Sequence, residues 1–520
     1  MVSRFRKWFE TQLDGYILFG SAVLIVPCIV FGIASPALFK AVSDVLLHWI
    51  VKYCGWLYLS SVSIFVVVCL LIALSPLGSI LLGKPGEQPE FSRLSWFAML
   101  FSAGMGIGLV FWSIAEPLYH FSSPPVGQPN SPESARLAFS IFFYHWGIHA
   151  WGTYVAVGLP LAFFQFRRDQ PCLISACIRP LFGTGDDRKP SPPDSPPKAM
   201  LLRLVDALAV YATILGVVTS LGLGAMQISS GLSLSYGVPG GNLTTVWVIV
   251  VITLLFIASA ASGVNKGIKY LSLLNVLLML LLLAFFFVFG HFGYIAGTFG
   301  QALGDYLQSI VPLSLSLTLF GNREWTGSWT VFYWAWWIAW APFVGAFIAH
   351  ISKGRTIREF VLIVMVVPAL FSFLFSSALG GTAVYQVIVE HLPLVATVGK
   401  SIEATLFAVL GNLPFYGITA ILANLLIASF FITSADSATM VICQFTTGGA
   451  APTGTRAYKL LVLFWGTVLG GLALVLVVSG GLKALQTASI VGALPFVLIM
   501  YCLLYSLVRE LLRENARGAS

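Results

Sequence analysis

Residues 104–108, Gly104-Met105-Gly106-Ile107-Gly108, interrupt an apolar stretch at 96–121 that is otherwise long enough for one membrane helix. Three glycines in five residues predict a break, because glycine is costly inside a helix. A second weakened stretch lies five predicted helices later at 329–351, with Pro342 and Gly345. Such paired interruptions are typical of transporters built from inverted repeats. Because five is odd, the second unit enters the membrane from the opposite side.

The composition predicts that most of the chain lies in lipid. Of 520 residues, 58% are hydrophobic and 9% are charged, whereas about a quarter are charged in a soluble domain. Apolar stretches of about 20 residues, the length that spans a bilayer core, recur along the chain. We expect an all-α integral membrane protein with twelve transmembrane helices, at residues 16–34, 57–82, 96–121, 136–166, 204–230, 246–261, 270–290, 329–351, 360–379, 402–439, 458–479 and 488–508. The span at 402–439 is expected to be broken at 411–414, Gly-Asn-Leu-Pro.

The basic residues predict the orientation of these helices. Loops rich in Lys and Arg stay in the cytoplasm, and with the N-terminus inside all but six of the 28 Lys and Arg lie on that side. Both termini are therefore predicted to be cytoplasmic. The net charge of +8 follows from this bias. No basic stretch is interleaved with exposed aromatic residues, so the expected partner is membrane lipid rather than nucleic acid.

The predicted helices divide the chain into five segments. These are a tail with two peripheral helices (1–95), a first repeat (96–290), an extracellular linker (291–328), a second repeat (329–508) and a short cytoplasmic tail (509–520). An interfacial helix is expected at 298–320, and the Pro- and Ser-rich stretch 183–198 is typical of a flexible loop. No cluster of catalytic groups is predicted, so we do not expect an enzyme.

Five tryptophans lie within twelve positions at residues 329–340. A belt at the lipid interface needs rings only near helix ends, and Trp329 and Trp334 fit that role or simple packing. The other three lie deeper. At 100° per residue, Trp340 is about 60° from Trp337 and about 40° from Trp336, so these indoles can converge on one side.

A second aromatic set lies on the fourth predicted span, at Trp146, Trp151 and Tyr154. These side chains cover an arc of about 140° and about 12 Å of helix length. Aromatic faces attract cations, by roughly 0.5 to 2 kcal/mol per contact, and methylated ammonium groups are their usual guests. The two sets together predict a cage for a quaternary ammonium group.

Several further motifs accompany these aromatic residues. They are Glu116-Pro117, His145-Trp146, the sequence Gly-Arg-Thr-Ile-Arg-Glu-Phe at 354–360 and Thr-Ser-Ala-Asp-Ser at 433–437. With the glycine stretch and the tryptophans, they resemble the betaine/choline/carnitine transporter (BCCT) family over essentially all twelve spans.

The resemblance implies a LeuT-like fold with two inverted five-helix repeats, as in sodium-coupled amino-acid carriers. It also implies a homotrimer in the plasma (inner) membrane of a bacterium. Trp146, Trp151, Tyr154 and Trp337 would form the aromatic box, and Trp340 would line the path or stack on the cation.

Gly108 bears on the substrate. An acidic residue at the last position of this motif is similar to what choline carriers show, whereas glycine favours a zwitterion such as the osmoprotectant glycine betaine. Backbone N–H groups of Met105, Gly106 and Gly108 could hold the carboxylate of a zwitterion. Close helix packing is the alternative interpretation of these glycines.

Thr433 and Ser434 suggest a sodium site, because hydroxyls and freed carbonyls are hard oxygen ligands. The family resemblance adds Ser102, Met105 and Phe430 to this set. Alternatively, the hydroxyls bond back to carbonyls of their own helix. A second family sodium site would use Phe343 and Thr213, but Val217 stands where a threonine is expected.

Glu116 and Asp436 are the two acids expected inside the membrane, where acids are functional by default. Ion pairing with the region of Arg355 and Arg358 and a proton relay both remain open. His145 and His149 stand four residues apart but lack the glutamate of a zinc-protease helix, so no metal site is predicted there.

The sequence therefore predicts a secondary active transporter that imports a glycine betaine-like zwitterion by sodium symport with alternating access. Sodium is the coupling ion, and no other cofactor is expected. Carnitine and sulfonium analogues present the same methylated cation and carboxylate. The alternatives are proton-coupled choline transport, a carnitine/butyrobetaine-type antiporter, and a non-transporting receptor, which would need a signalling domain.

Overall fold

A computed structural model describes residues 13–104, 106–183, 195–262, 265–317, 322–449 and 455–518. Within these ranges the regular elements are helical, apart from one antiparallel bridge between Leu81 and Thr356. The α-helices are α1 Gly15–Ala34, α2 Pro36–Leu74, α3 Arg93–Gly104, α4 Ile107–Ser122, α5 Pro132–Trp146, α6 Ile148–Ala162, α7 Ile174–Ile178, α8 Pro196–Tyr236, α9 Asn242–Ser262, α10 Asn265–Phe289, α11 Phe292–Leu315, α12 Arg323–Thr326, α13 Phe332–His350, α14 Ile357–Ile388, α15 Leu394–Lys400, α16 Thr405–Gly411, α17 Tyr416–Thr446 and α18 Arg456–Gly518.

Ten helical segments in the described part of the chain are long and apolar enough to cross a membrane. The chain is therefore a multi-pass helical membrane protein. Two of these ten segments each consist of two helices. One contains α5, α6 and the π-turn Phe163–Arg167, and the other contains α12 and α13 joined by the π-turn Gly327–Val331.

The third predicted span is broken where the glycines predicted it. Helix α3 ends at Gly104 and α4 begins at Ile107, with Gly106 as an extended N-cap residue at φ −147° and ψ −167°. At 12 and 16 residues, each half is shorter than the roughly 20 residues that span a bilayer. The break leaves backbone N–H groups at the start of α4 without helical partners.

Helix α18 is interrupted at Gly481. Its 63 residues would reach about 95 Å as a straight helix, far more than a bilayer is thick. Gly481 has φ 55° and ψ −138°, a non-helical conformation that glycine adopts without steric cost. This position separates the two apolar stretches predicted at 458–479 and 488–508.

The predicted boundaries of two spans are wrong. Helix α2 begins at Pro36 rather than 57. Its added N-terminal part carries an exposed ion pair one turn apart, Lys40 and Asp44 at 2.9 Å, which is compatible with a helix. The helix ends at Leu74, just before Pro76. The span predicted at 402–439 is interrupted where its break at 411–414 was expected, since α16 ends at Gly411 and α17 begins at Tyr416 after Phe415, which has a left-handed φ of 60°. Its predicted end is wrong, because α17 continues to Thr446.

Two other helices differ in extent from the predictions. Helix α14 runs from Ile357 to Ile388, longer than the predicted 360–379, and is N-capped by Thr356, whose hydroxyl accepts from Glu359 N. The linker helix α11 covers Phe292–Leu315 instead of 298–320. Residues 318–320 lie outside the described ranges.

Helices α6 and α13 cross at two glycines in the centre of the molecule. A Cβ atom on Gly158 would lie 3.1 Å from Gly345 O, and one on Gly345 would lie 3.0 Å from Gly158 N. The two backbones can approach this closely because neither residue carries a side chain.

Helix α13 is buried on nearly all sides, and Phe347 and His350 are its only residues that are not buried. A helix that is apolar all round is expected to be central. Trp329 and Trp334 are buried too, so the lipid-interface interpretation of these two residues is wrong and the packing interpretation is correct. The crossing with α6 brings the two aromatic sets to the same region.

Candidate functional site

The aromatic side chains predicted from α5, α6 and α13 form one cluster. The ring centroid of Trp337 lies 4.9 Å from that of Trp146 and 6.2 Å from that of Tyr154, both in T-shaped contact. Trp151 joins through Tyr154, at 5.6 Å. All four side chains are buried. The two sets are thus adjacent, with Trp337 between the residues of the other helices.

Trp336 and Trp340 extend this cluster along α13. Trp336 stacks on Trp337 with centroids 4.9 Å apart and the ring planes at 14°, and it meets Trp340 edge-on at 6.5 Å. Its indole Nε1 donates to Gly216 O at 3.3 Å, which ties α13 to α8. All six predicted aromatic residues are therefore in contact as one group.

Hydrogen bonds fix the orientation of two of these rings. Trp146 Nε1 donates to Glu116 Oε2 at 3.1 Å, and Trp337 Nε1 donates to His145 O at 3.0 Å. Buried indole N–H groups normally require such a partner. The ring faces, which carry the negative end of the quadrupole, remain directed at neighbouring rings rather than at polar atoms.

The glycine break lies against this cluster. A Cβ atom on Gly108 would lie 2.5 Å from Trp336 Cη2 and 3.2 Å from Trp146 Cη2. The packing interpretation of this glycine is thus supported, and it excludes an acidic side chain in this arrangement. A Cβ atom on Gly106 would instead face Ser434 Oγ at 3.8 Å. The break therefore touches the aromatic cluster on one side and α17 on the other.

The predicted sodium ligands are only partly described. Met105 and the side chain of Ser102 lie outside the described residues. Thr433 donates to the carbonyls of Ser429 and Phe430 at 3.0 and 3.2 Å, the intrahelical bonding expected of a plain helix hydroxyl. Ser434 lies next to Gly106, so the hydroxyls of Thr433 and Ser434 are close to the break between α3 and α4.

The residues of the second predicted sodium site lie on α8 and α13. Thr213 donates to Ala209 O within its own helix at 2.8 Å, and Val217 is fully buried. Phe343 contacts Trp340 edge-on at 5.7 Å. These contacts place Phe343 beside the aromatic cluster and give Thr213 an intrahelical partner.

Comparison with known proteins assigns the family. A family model described as "BCCT, betaine/carnitine/choline family transporter" matches residues 16–516. The chain belongs to this family. The resemblance predicted from the motifs is confirmed, and the protein is a transporter rather than an enzyme.

Three relatives illustrate the range of this transporter family. A probable glycine betaine transporter of Desulfitobacterium hafniense is 43% identical over 502 residues, 96% of this chain and 98% of the relative. The glycine betaine transporter OpuD of Bacillus subtilis is 44% identical over 490 residues, 94% and 92% of the two chains. An ectoine/hydroxyectoine transporter of Virgibacillus pantothenticus is 38% identical over 515 residues, 98% and 99% of the two chains.

The two acids of this BCCT transporter do not pair with the arginines considered for them. Arg355 binds Glu359 at 3.0 Å and Arg358 binds carbonyls of the α2 end, including Ala73 O at 2.9 Å. Asp436 accepts from Ser259 Oγ of α9 at 2.6 Å. Ion pairing with these arginines, one of the two interpretations left open, is therefore wrong, because both arginines lie near the N-terminus of α14, where closer acceptors satisfy them.

Glu116 instead belongs to a buried polar cluster that sequence reasoning did not assemble. Its Oε1 lies 2.6 Å from His145 Nδ1 and 3.5 Å from His120 Nε2, and its Oε2 accepts from Tyr333 Oη at 2.5 Å. His149 has a different partner, Ser314 Oγ at 2.8 Å. The spacing of Glu116 and His120, four residues apart on one helix, was the available signal.

Asn275 on α10 was also missed. Its Nδ2 donates to Thr433 Oγ1 at 2.8 Å, and the side chain is buried. Its Oδ1 has no hydrogen-bond partner within the ranges that the structure describes. A buried amide oxygen without a partner is costly, so this carbonyl is an unused ligand beside the Thr433 hydroxyl of α17.

Proposed function

We propose that this transporter imports a quaternary ammonium zwitterion of the glycine betaine type by alternating access. The observation that carries the proposal is the convergence of six aromatic side chains beside a broken helix. The rings suit a methylated cation, while the free N–H groups at the start of α4 suit a carboxylate. Trp146, Trp151, Tyr154, Trp336, Trp337 and Trp340 would surround the cation, and Met105, Gly106 and Gly108 would approach the anion.

The relatives described above support a zwitterion, although another, 35% identical, is named as an osmo-dependent choline transporter. Two of the three relatives described above carry glycine betaine in their names and the third carries ectoine, another compact zwitterion. In addition, the close packing of Gly108 against two indoles leaves no space for the acidic residue associated with choline. Both points favour a substrate that brings its own negative charge.

We propose that the fold has twelve spans in two inverted five-helix repeats. To the ten apolar segments this adds the broken pair α3 and α4 as one span and counts α18 as two spans divided at Gly481. Each repeat would then begin with an interrupted or weakened helix. The bias of the basic residues supports cytoplasmic termini in a bacterial plasma membrane, and the family resemblance supports a homotrimer.

Sodium is the proposed coupling ion, held near the break by Ser102, Met105, Phe430, Thr433 and Ser434. The support is the proximity of Ser434 to Gly106 and the unpartnered Oδ1 of Asn275 beside Thr433. Carbonyl and hydroxyl oxygens are hard ligands of the kind an alkali cation takes. Thr433 would then exchange its intrahelical bonds for the ion.

The function is tested by uptake into liposomes that contain the purified protein. We expect labelled glycine betaine to accumulate under an inward sodium gradient and to fall to the level of protein-free liposomes when sodium is replaced by potassium. Choline and carnitine should compete weakly. Betaine uptake that is independent of sodium but depends on a proton gradient would contradict the proposed sodium coupling. Uptake of choline in preference to betaine would contradict the proposed substrate.

A further inference from the structure

Glu116 is a fully buried carboxylate with three polar side chains close to it. Trp146 Nε1 donates at 3.1 Å and Tyr333 Oη at 2.5 Å, and His145 Nδ1, 2.6 Å away, is a third donor when the imidazole carries its hydrogen on that nitrogen. A protonated carboxyl group would need an acceptor for its own hydrogen, whereas an ionised one only accepts. Three converging donors therefore fit the ionised form, and they are the kind of charge-assisted bonds that hold side chains firmly.

These bonds lead directly to the aromatic cluster. Trp146 is bound to Glu116 itself, and Tyr333 places its ring over that of Trp337 at 5.7 Å with the planes at 28°. The carbonyl of His145 accepts from Trp337 Nε1. A single carboxylate thus connects, in one step or two, the two tryptophans that face each other across α5 and α13.

The charge of Glu116 has little opposition nearby. In the described part of the chain its ion-pair partners are His145 and His120, and neither Lys nor Arg is among them. His145 Nε2 lies 3.0 Å from Thr330 Oγ1, so a neutral imidazole that donates from Nδ1 can accept the threonine hydroxyl at Nε2. With that tautomer, the group formed by Glu116 and His145 carries one net negative charge, located behind the ring of Trp146.

A metal ion is a poorer explanation of the same residues. One ligand atom each from Glu116, His120 and His145 lies within 4.8 Å of the others. However, Glu116 Oε1 and His145 Nδ1 are 2.6 Å apart, the distance of a hydrogen bond, whereas two ligands bound to zinc at about 2.0–2.1 Å in tetrahedral geometry stand about 3.3 Å apart. The other carboxylate oxygen is already occupied by Trp146 and Tyr333.

We propose that Glu116 is the positioning residue of the aromatic cage and also determines its preference for a charged headgroup. The hydrogen bonds hold Trp146 and Tyr333, and through them Trp337, in the arrangement that receives the cation. The negative charge, on the order of 6–7 Å from a cation on the ring face by the dimensions of an indole, attracts that cation in a medium of low dielectric constant. The inference rests on the proposed function, because it assumes that the cage takes a quaternary ammonium group.

The test uses two ligands of the same shape. Glycine betaine and 3,3-dimethylbutanoate differ only in the central atom of the headgroup, which is a nitrogen cation in one and a neutral carbon in the other. Binding of both to the purified full-length protein is measured by calorimetry. We expect the wild type to favour betaine by about tenfold or more, since the cation–π attraction is absent for the carbon analogue.

Glu116→Gln should reduce this betaine preference severalfold, because the amide retains the size but loses the charge. Glu116→Asp should weaken the binding of both ligands but keep the preference. If neither variant of Glu116 folds, Tyr333→Phe is the second probe. It removes one hydrogen-bond donor to Glu116 and should weaken the binding of both ligands equally. The matched control is Asp206→Asn, a buried acid that accepts from Ser175 N at 2.9 Å. It lies on α8 about 15 Å along the helix axis from Gly216, the residue that binds Trp336, and its replacement should leave both affinities unchanged.

The outcomes separate the two proposals. Wild-type protein that does not prefer betaine would overturn the proposed function. Wild-type preference that survives in Glu116→Gln would overturn the charge role of Glu116 alone. Unchanged affinity for both ligands in Tyr333→Phe would overturn the role of Glu116 in positioning the cage through Tyr333.

Discussion

Replacing Trp337 with alanine should lower glycine betaine uptake by at least about tenfold, since each desolvated cation–π contact is worth up to about 2 kcal/mol and 1.4 kcal/mol is a factor of ten. The reason is its central place in the cluster. Its ring contacts Trp146, Tyr154 and Trp336, so its removal takes away one wall of the cage and the support of three others. The measurement is initial uptake in liposomes, normalised to the amount of monodisperse protein.

Trp329→Ala is the control for this substitution. Trp329 and Trp337 lie two turns apart in one continuous helical segment, and each is 5% exposed, so the packing lost is comparable. Within the described residues, the ring of Trp329 contacts Trp112 and His120, with centroids 5.4 and 4.4 Å away, as well as Tyr119 and Tyr333. None of these is one of the six aromatic residues proposed to surround the cation. Equal losses of uptake per folded molecule in both variants would show that Trp337 has only a general packing role.

Replacing Gly108 with alanine should produce the second large loss. The new methyl group would lie 2.5 Å from Trp336, a separation that real Cβ atoms do not adopt, so either the indole or the start of α4 must move. Overpacking of this kind costs about 1–3 kcal/mol, which corresponds to about a 5- to 150-fold loss if it falls on the substrate-bound state. Betaine affinity measured by calorimetry is the direct readout.

The control here is Gly297→Ala on α11, where a Cβ atom would meet nothing within 4 Å. Both substitutions have the same chemistry and both lie in helices, so backbone effects are matched. Gly297→Ala should bind betaine as the wild type does. Wild-type affinity in Gly108→Ala would mean that the two indoles can yield without disturbing the site.

The aromatic cluster was predictable from sequence because its residues lie on two predicted spans at spacings close to those of a helix. Trp336, Trp337 and Trp340 were expected to converge, and in the structure the ring of Trp336 contacts both of the others. The role of Trp329 and Trp334 was not decided by the same pattern. Helix α13 is apolar on every side, so periodicity gives it no lipid face, and only the surrounding helices show that both rings are buried.

The polar contacts could not be predicted in this way. Glu116 and Tyr333 are 217 positions apart, and Asn275 and Thr433 are 158 positions apart. Such pairs depend on the mutual rotation of helices, which a single sequence does not specify. The ends of some helices were wrongly predicted for a related reason. Helix α2 continues through residues that are as polar as a loop, but their charged side chains pair along the helix.

The crossing of α6 and α13 at Gly158 and Gly345 has a mechanical consequence. Neither glycine carries a side chain, so the two backbones meet there directly, with the side chains of Val157 and Phe360 packed beside them. A turn of one helix against the other would have this contact as its pivot. Trp337 lies eight residues from Gly345, or about 12 Å along the helix axis. A rotation of about 10° at the pivot therefore moves this ring by about 2 Å, roughly the radius of a methyl group, while the pivot itself stays in contact.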